Sequence, residues 1–233
     1  AMTGSLTIDS GATLDATSAN NYGITLAGNW SNSGTFTARS SIITLNGGSQ
    51  TLAGTNSFYN LTKSTTTAST FTFPASATTT ISGTLTLNGV SGQLLSLRSS
   101  TSGTPWGLNL AGSVSGSYLD VKDSNASYGS VVSAATSTDS GNNTNWRLIN
   151  SFVVDMPVTI NGGTAFSTTI TTKDATGNTT KSVSGDTALS ISAGFLDTAS
   201  LTASQFTDDG IWTGNLTISG ITEQSTVTLT ATN

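Results

Sequence analysis

Along the first two thirds of the chain, apolar and hydroxyl-bearing residues alternate in short windows. Examples are SLTID (Ser5 to Asp9), YGITLAG (Tyr22 to Gly28), GTFTA (Gly34 to Ala38), SIITLNG (Ser41 to Gly47), STFTFP (Ser69 to Pro74) and GTLTLNG (Gly83 to Gly89). Each places Leu, Ile or Phe on one face and mostly Thr or Ser on the other, the period of two that marks a strand. Glycine with Asn, Ser or Asp punctuates these windows every eight to twelve residues or so, which suits short strands joined by tight turns. Nothing sustains an apolar 3.6-residue period, so almost no helix is expected.

Internal repetition narrows the architecture. TLNGGSQTLAG (Thr44 to Gly54) returns loosely as TLNGVSGQLLS (Thr86 to Ser96), and TLAG at Thr25 to Gly28 recurs at Thr51 to Gly54, with NLAG at Asn109 to Gly112. Offsets of about 42 and 26 residues fit rungs of roughly 20 to 26 residues, each one supersecondary unit. The expected fold is all-β: a right-handed parallel β-helix (β-solenoid) over residues 1–148, with inward Leu, Ile, Val and Phe stacked rung on rung and outward Thr and Ser forming polar ladders. One large β-sandwich is the competing reading.

Composition bears on function more than on fold. Charged residues are 8% of the chain, against about 25% in an ordinary soluble domain, and 46 threonines with 37 serines take their place. Such poverty of charge also fits disorder, but recurrent Thr, Val, Ile and Phe at alternate positions speak for strands. The chain has no histidine and no cysteine, which removes the usual zinc ligand sets, catalytic triads and disulfides. A net charge of −5 opposes binding to a phosphate backbone, so no nucleic-acid partner is expected. No apolar run is long enough to span a bilayer as a helix. The opening Ala1-Met2 reads as a cloning scar, and the chain as a segment of a longer polypeptide whose neighbouring domains are its first partners.

Between residues 16 and 119 there is no Asp or Glu, so hydrolysis by paired carboxylates is implausible on the solenoid and no catalytic residue is expected. Arg39, Lys63 and Arg98 are the charges in that stretch; they are expected to be exposed, as solubilising groups or as contacts to an anionic glycan. Asp120, Asp123 and Asn125, or Asp139, Asn142 and Asn145, offer oxygen ligands for calcium, the one cofactor considered. The plainer reading is that Asn, Asp and Gly make turns there, with Trp146 closing the last rung.

GNWSNSGTFTARSSIITLNGGSQTLAGTNSFYNLTKS (Gly28 to Ser64) resembles the rungs of very large bacterial surface and secreted β-helix proteins, and Pro105 to Ser127 with Asp139 to Trp146 resembles the end of that architecture. The resemblance implies an extracellular or bacterial cell-surface location and an adhesive or structural role. Residues 149–233 resemble bacterial immunoglobulin-like domains of invasin and intimin type through TTKDATGN (Thr171 to Asn178), SGDTALSIS (Ser184 to Ser192) and GIWTGNLTIS (Gly210 to Ser219). That implies a cysteine-free sandwich with a core including Phe166, Ile170, Leu189, Ile191, Trp212, Leu216, Ile218, Val227 and Leu229.

The main expectation is a non-enzymatic structural or adhesive spacer. The alternative is a carbohydrate-binding module recognising a surface glycan, with Trp30, Tyr59, Trp106 and Trp212 as candidate stacking platforms. Asp208 and Asp209, the one adjacent acid pair, are either calcium ligands or a solvated turn. An intramolecular isopeptide bond would draw on Lys173, Lys181, Asp155 and Glu223. Threonines spaced by two, Thr35/Thr37, Thr70/Thr72, Thr78/Thr80 and Thr84/Thr86, raise ice binding, and solenoid ends with sandwich edges raise fibre assembly.

Overall fold

The computed structural model describes residues 1–17, 19–180, 186–207, 210–221 and 226–232, in two compact units, Ala1–Leu148 and Ile149–Asn233. Among the described residues, strands joined by turns account for nearly everything, and the sole helical element is a 3-10 turn at Ala203–Gln205.

In the first unit each sheet collects every third strand, and the strands pair in parallel. The first sheet has seven: Leu6–Ile8, Trp30–Asn32, Gln50–Ala53, Ser69–Phe73, Leu95–Ser99, Leu119–Val121 and Thr138–Asp139. A second holds Asn56–Phe58, Thr78–Ile81, Trp106–Leu110, Ser124–Asn125 and Asn143–Thr144. The third holds Ile24–Leu26, Ile42–Leu45, Asn60–Ser64, Thr84–Asn88 and Ser113–Ser117. Two short parallel pairs, Thr13–Asp15 with Thr35–Thr37 and Val132–Ser133 with Trp146–Arg147, complete the set. A chain that visits three sheets in succession and then returns to the first winds as a coil with three faces, a topology compatible with a β-solenoid. Parallel pairing throughout these sheets excludes one large antiparallel sandwich.

Strand alternation decides what fills the coil. On Ser69–Phe73 the first, third and fifth residues are buried, and on Thr84–Asn88 Leu85 and Leu87 are buried between half-exposed neighbours. Register then stacks like on like. Phe71 lies beside Leu97 and Leu97 beside Val121 on the first sheet, while Leu61 lies beside Leu85 on the third. Aromatic rings knit the column: Trp30 meets Phe36 and Phe58 edge-on at 4.9 and 5.3 Å, and Phe73 stacks on Trp106 at 3.8 Å.

The sequence repeats resolve into two different things. Thr44 and Thr86 occupy one register column, Thr44 beside Thr62 and Thr62 beside Thr86, so the longer offset spans two turns of the third sheet. The LAG repeat is not a rung period. Leu26, Leu52 and Leu110 fall on the third, first and second sheets respectively, each buried, and the glycine that follows sits at a corner. A Cβ on Gly28 would lie 2.3 Å from the Ser5 nitrogen, on Gly54 1.9 Å from the Asn32 oxygen, and on Gly112 1.7 Å from the Gly83 oxygen. The motif therefore marks where one turn's backbone presses on the turn before it.

The second unit is antiparallel. Ser151–Asp155, Ala165–Lys173, Ile211–Ser219 and Phe195–Leu196 form one sheet in that order, and Ser200–Leu201, Thr187–Ile191 and Leu229–Thr232 form another. Phe166, Ile170, Trp212, Leu216 and Ile218 from the first meet Leu189, Leu201 and Leu229 from the second in one apolar cluster with Phe206. Ile191 and Val227, expected in the core, are only partly buried, while Leu201 and Phe206 take full places in it. The TTKDATGN segment folds as a tight turn in which the buried Asp174 carboxylate accepts hydrogen bonds from the Thr176 and Asn178 amides, each at 2.9 Å.

Corner glycines should be the most sensitive sites of the coil. Gly112→Ala is expected to cost about 2 kcal/mol or more in chemical denaturation, because its Cβ has nowhere to go. Gly48→Ala, where a Cβ meets nothing within 4 Å, should be neutral or slightly stabilising, and equal losses at both positions would refute the corner argument.

Candidate functional site

Of the four aromatics expected as glycan platforms, three are interior. Trp30 and Trp106 are fully buried, their indole N–H groups donating to Asn56 Oδ1 at 2.8 Å and to the Lys122 carbonyl at 3.4 Å. Trp212 is buried in the second unit with its six-membered ring lying across Gly214. A ring with both faces packed has none left for a sugar, so these three are core residues. Tyr59 remains, 38% exposed. Trp146 is also buried, edge-on to Trp106 at 6.3 Å, with its N–H donated to Ser124 Oγ.

The two proposed calcium sets stand on successive turns and engage each other. Ser124 lies beside Asn143 and Asn125 beside Thr144 in the second sheet. Asp123 and Asn142, both at positive φ, meet just ahead of those strands, where Asn142 Nδ2 donates to Asp123 Oδ1 at 2.7 Å. Asp123 Oδ2 accepts the Gly103 amide. Burial raises the Asp123 carboxyl, but these hydrogen bonds and the nearby Lys122 and Arg98 charges outweigh it and hold it below its ordinary value. Asp120 accepts from Arg98 and from Ser140 Oγ, Asn125 from the Ser127 amide and hydroxyl, and Asp139 from the Gly141 amide and Asn143 Nδ2. Asn145 Nδ2 donates to the Ala126 and Gly129 carbonyls. The oxygens that would ligate calcium thus serve turns and inter-turn contacts, and no cluster of three acid side chains forms among the described residues. Asp208 and Asp209 lie outside the described residues, as do Lys181 and Glu223 of the isopeptide reading, while Lys173 Nζ donates to Thr179 Oγ1 at 3.0 Å.

The three bases are not free surface charges. Arg39 pairs with Asp15 at 2.9 Å, and Arg98 with Asp120. Both partners stand one turn away, just beyond the two ends of the acid-free stretch. The Arg39 hydrogen bond holds the Asp15 carboxyl below its ordinary value. Lys63 overturns the expectation of exposure altogether, being fully buried on the inward side of the third sheet beside Leu61. Its Nζ donates to the Gly47 and Gly48 carbonyls at 2.5 and 2.6 Å and to Gln50 Oε1 at 2.7 Å. Three oxygens match the three N–H bonds of an ammonium, and Gln50 is itself anchored by donating to the Leu26 and Gly28 carbonyls. Burial with no carboxylate partner still lowers the Lys63 pKa from 10.5 to about 8.

The threonine pairs expected to form a regular array are scattered over three faces, Thr35/Thr37 and Thr78/Thr80 apart from Thr70/Thr72 and Thr84/Thr86. A longer hydroxyl column exists that those pairs did not reveal: Thr25, Thr44, Thr62, Thr86 and Ser115 follow one another in register along the third sheet. Its signal is present in the sequence as the central Thr of ITL, ITL, LTK and LTL and the central Ser of VSG. Beside it run Asn46, Ser64, Asn88 and Ser117, and a cavity of about 410 Å³ opens past them, lined by Gly47, Thr66 and Val90 among others. The chain matches no protein-family model, no curated protein and no solved structure.

Two outcomes are expected. Because the folded Lys63 value of about 8 lies below the unfolded 10.5, the unfolded chain binds more protons between them, so stability should rise with pH across that window, by about 3 kcal/mol at most. Below pH 8 the full cost of burying the ammonium is present; Lys63→Met should lack the rise, and parallel pH profiles for the two proteins would refute the assignment. Asp123→Ala should lose about 2 kcal/mol, equally with calcium and with chelator, since it removes acceptors for Asn142 and Gly103. A calcium-dependent difference in melting temperature would support the metal reading instead.

Proposed function

We propose that this chain is a non-catalytic structural and adhesive segment of a bacterial cell-surface or secreted protein, a β-solenoid followed by an immunoglobulin-like sandwich. The observation that carries the reading is the first sheet, in which seven successive turns are joined by parallel backbone ladders over one continuous core. Such a coil distributes force over many hydrogen bonds at once, which is what a spacer requires. Two antiparallel sheets closing on a cysteine-free core support the immunoglobulin-like reading of the second unit, along with the order of its motifs. The wealth of hydroxyls and poverty of charge suit weak polar contacts with glycans or a neighbouring cell, and neighbouring domains of a longer polypeptide are its constant partners.

Single-molecule pulling on the whole chain tests this. The first unit should yield with distinct force peaks and release roughly 500 Å of chain in all, and the second should yield separately with roughly 300 Å. Smooth extension without force peaks would remove the mechanical reading.

A further inference from the structure

Three Asn-Gly dipeptides punctuate the chain, Asn46–Gly47, Asn88–Gly89 and Asn161–Gly162. Alike in sequence, they differ in what holds the glycine amide. In the first unit the Gly47 amide donates to Gln50 Oε1 at 3.0 Å, and a Cβ on Gly47 would lie 2.0 Å from the Ala27 carbonyl oxygen. The Gly89 amide donates to the Ser117 carbonyl at 3.0 Å, and Gly89 is buried, with the Tyr118 oxygen 2.5 Å from where a Cβ would stand. Asn88 is held as well, its Oδ1 accepting from Ser117 Oγ at 3.0 Å. The third dipeptide lies in the second unit and is built differently. Asn161 opens a turn that closes where the Thr164 amide donates to the Asn161 carbonyl at 3.1 Å, and Gly163 supplies the positive φ of 76° at the third position. All four residues from Asn161 to Thr164 are exposed. Among the described residues, neither the Gly162 amide nor the Asn161 side chain has a hydrogen-bond partner.

We propose that Asn161 is a site of spontaneous covalent modification, at which the Gly162 amide nitrogen attacks the side-chain carboxamide. The N–Cγ bond forms, the Cγ–Nδ2 bond breaks, and ammonia leaves with the proton that the amide gives up. Solvent water then opens the cyclic imide at either carbonyl, leaving aspartate or isoaspartate at position 161. Two requirements select this dipeptide over the other two. The attacking nitrogen has to lose its proton, and an N–H held in a hydrogen bond of the packed coil is protected against that loss. The peptide plane after the asparagine also has to swing toward the side chain. Backbone pressed against the adjacent turn, as at Gly47 and Gly89, resists that swing, whereas an exposed turn tip permits it. Either product adds a negative charge to a chain whose net charge is −5. Isoaspartate in addition lengthens the backbone of the turn by one carbon, just before the strand Ala165–Lys173 that pairs with both Ser151–Asp155 and Ile211–Ser219. The inference goes beyond the spacer reading, which stands or falls separately by the force measurement.

Incubation of the full chain in mildly alkaline buffer, followed by tryptic digestion and mass spectrometry with fragmentation, provides the test. Cleavage at Arg39, Lys63, Arg98, Arg147 and Lys173 puts the three dipeptides on separate peptides, residues 40–63, 64–98 and 148–173. In the folded chain position 161 should convert about tenfold faster, or more, than positions 46 and 88, with unincubated protein as the background. In concentrated urea all three should convert at comparable rates, because none of the glycine amides is then held. Hydrogen exchange supplies a second readout that needs no chemical conversion: the Gly162 amide should exchange quickly, while those of Gly47 and Gly89 are protected. Comparable rates at the three positions of the folded chain, faster conversion at position 46 or 88, no conversion at position 161 while the urea-treated chain converts, or a protected Gly162 amide would each overturn the proposal.

Discussion

The parallel ladder between successive turns is the constraint from which the first unit follows. Strands held about 4.8 Å apart in fixed register place the same position of every turn in one column, so each column has to be chemically consistent along its length. Inward columns become Phe71, Leu97 and Val121; outward ones become Thr44, Thr62 and Thr86. Corners obey the same rule, because a side chain at Gly54 or Gly112 would have to occupy the space of the backbone one turn below.

Lys63 shows how an exception is accommodated. The loop between the third and first sheets turns two glycine carbonyls, of Gly47 and Gly48, toward the interior, and backbone oxygens buried without partners are costly. The ammonium satisfies both of them together with Gln50, and Gln50 in turn holds the Leu26 and Gly28 carbonyls of the adjacent turn. One cation thus caps the Gly47 and Gly48 carbonyls and ties them through Gln50 to the adjacent turn, which explains its place in a core with no carboxylate among its partners. Arg39 and Arg98 solve the opposite problem at the surface, each reaching one turn away to an acid at the margin of the uncharged stretch.

Much of this was legible in the strand periodicity. Alternation in STFTF and TLTLN predicts the buried Phe71, Phe73, Leu85 and Leu87, and alternation in NLTKS already places Lys63 on the side of Leu61. What misled was residue type: a lysine or a lone tryptophan is read as surface until its strand phase is considered. Trp30 had no such phase to read, because WSN continues inward with Asn32, a buried polar residue. Of the four aromatics expected as glycan platforms, Trp30, Trp106 and Trp212 are interior, while Tyr59 is exposed. The Asp and Asn cluster reads as turn-forming from its composition, but the contact between Asp123 and Asn142 joins the two candidate ligand sets, which local spacing keeps apart.

Partnering between adjacent turns also governs how such a chain reaches its folded state. Leu6 pairs with Trp30, Leu95 with Leu119 and Asp120 with Thr138, so the sequence distance closed at each step stays short and does not grow as turns are added. Each completed turn offers the template on which the next is laid, and assembly can nucleate at any turn and propagate along one dimension. A polypeptide delivered end first, as from a ribosome or a narrow export channel, meets its partners in the order in which it arrives.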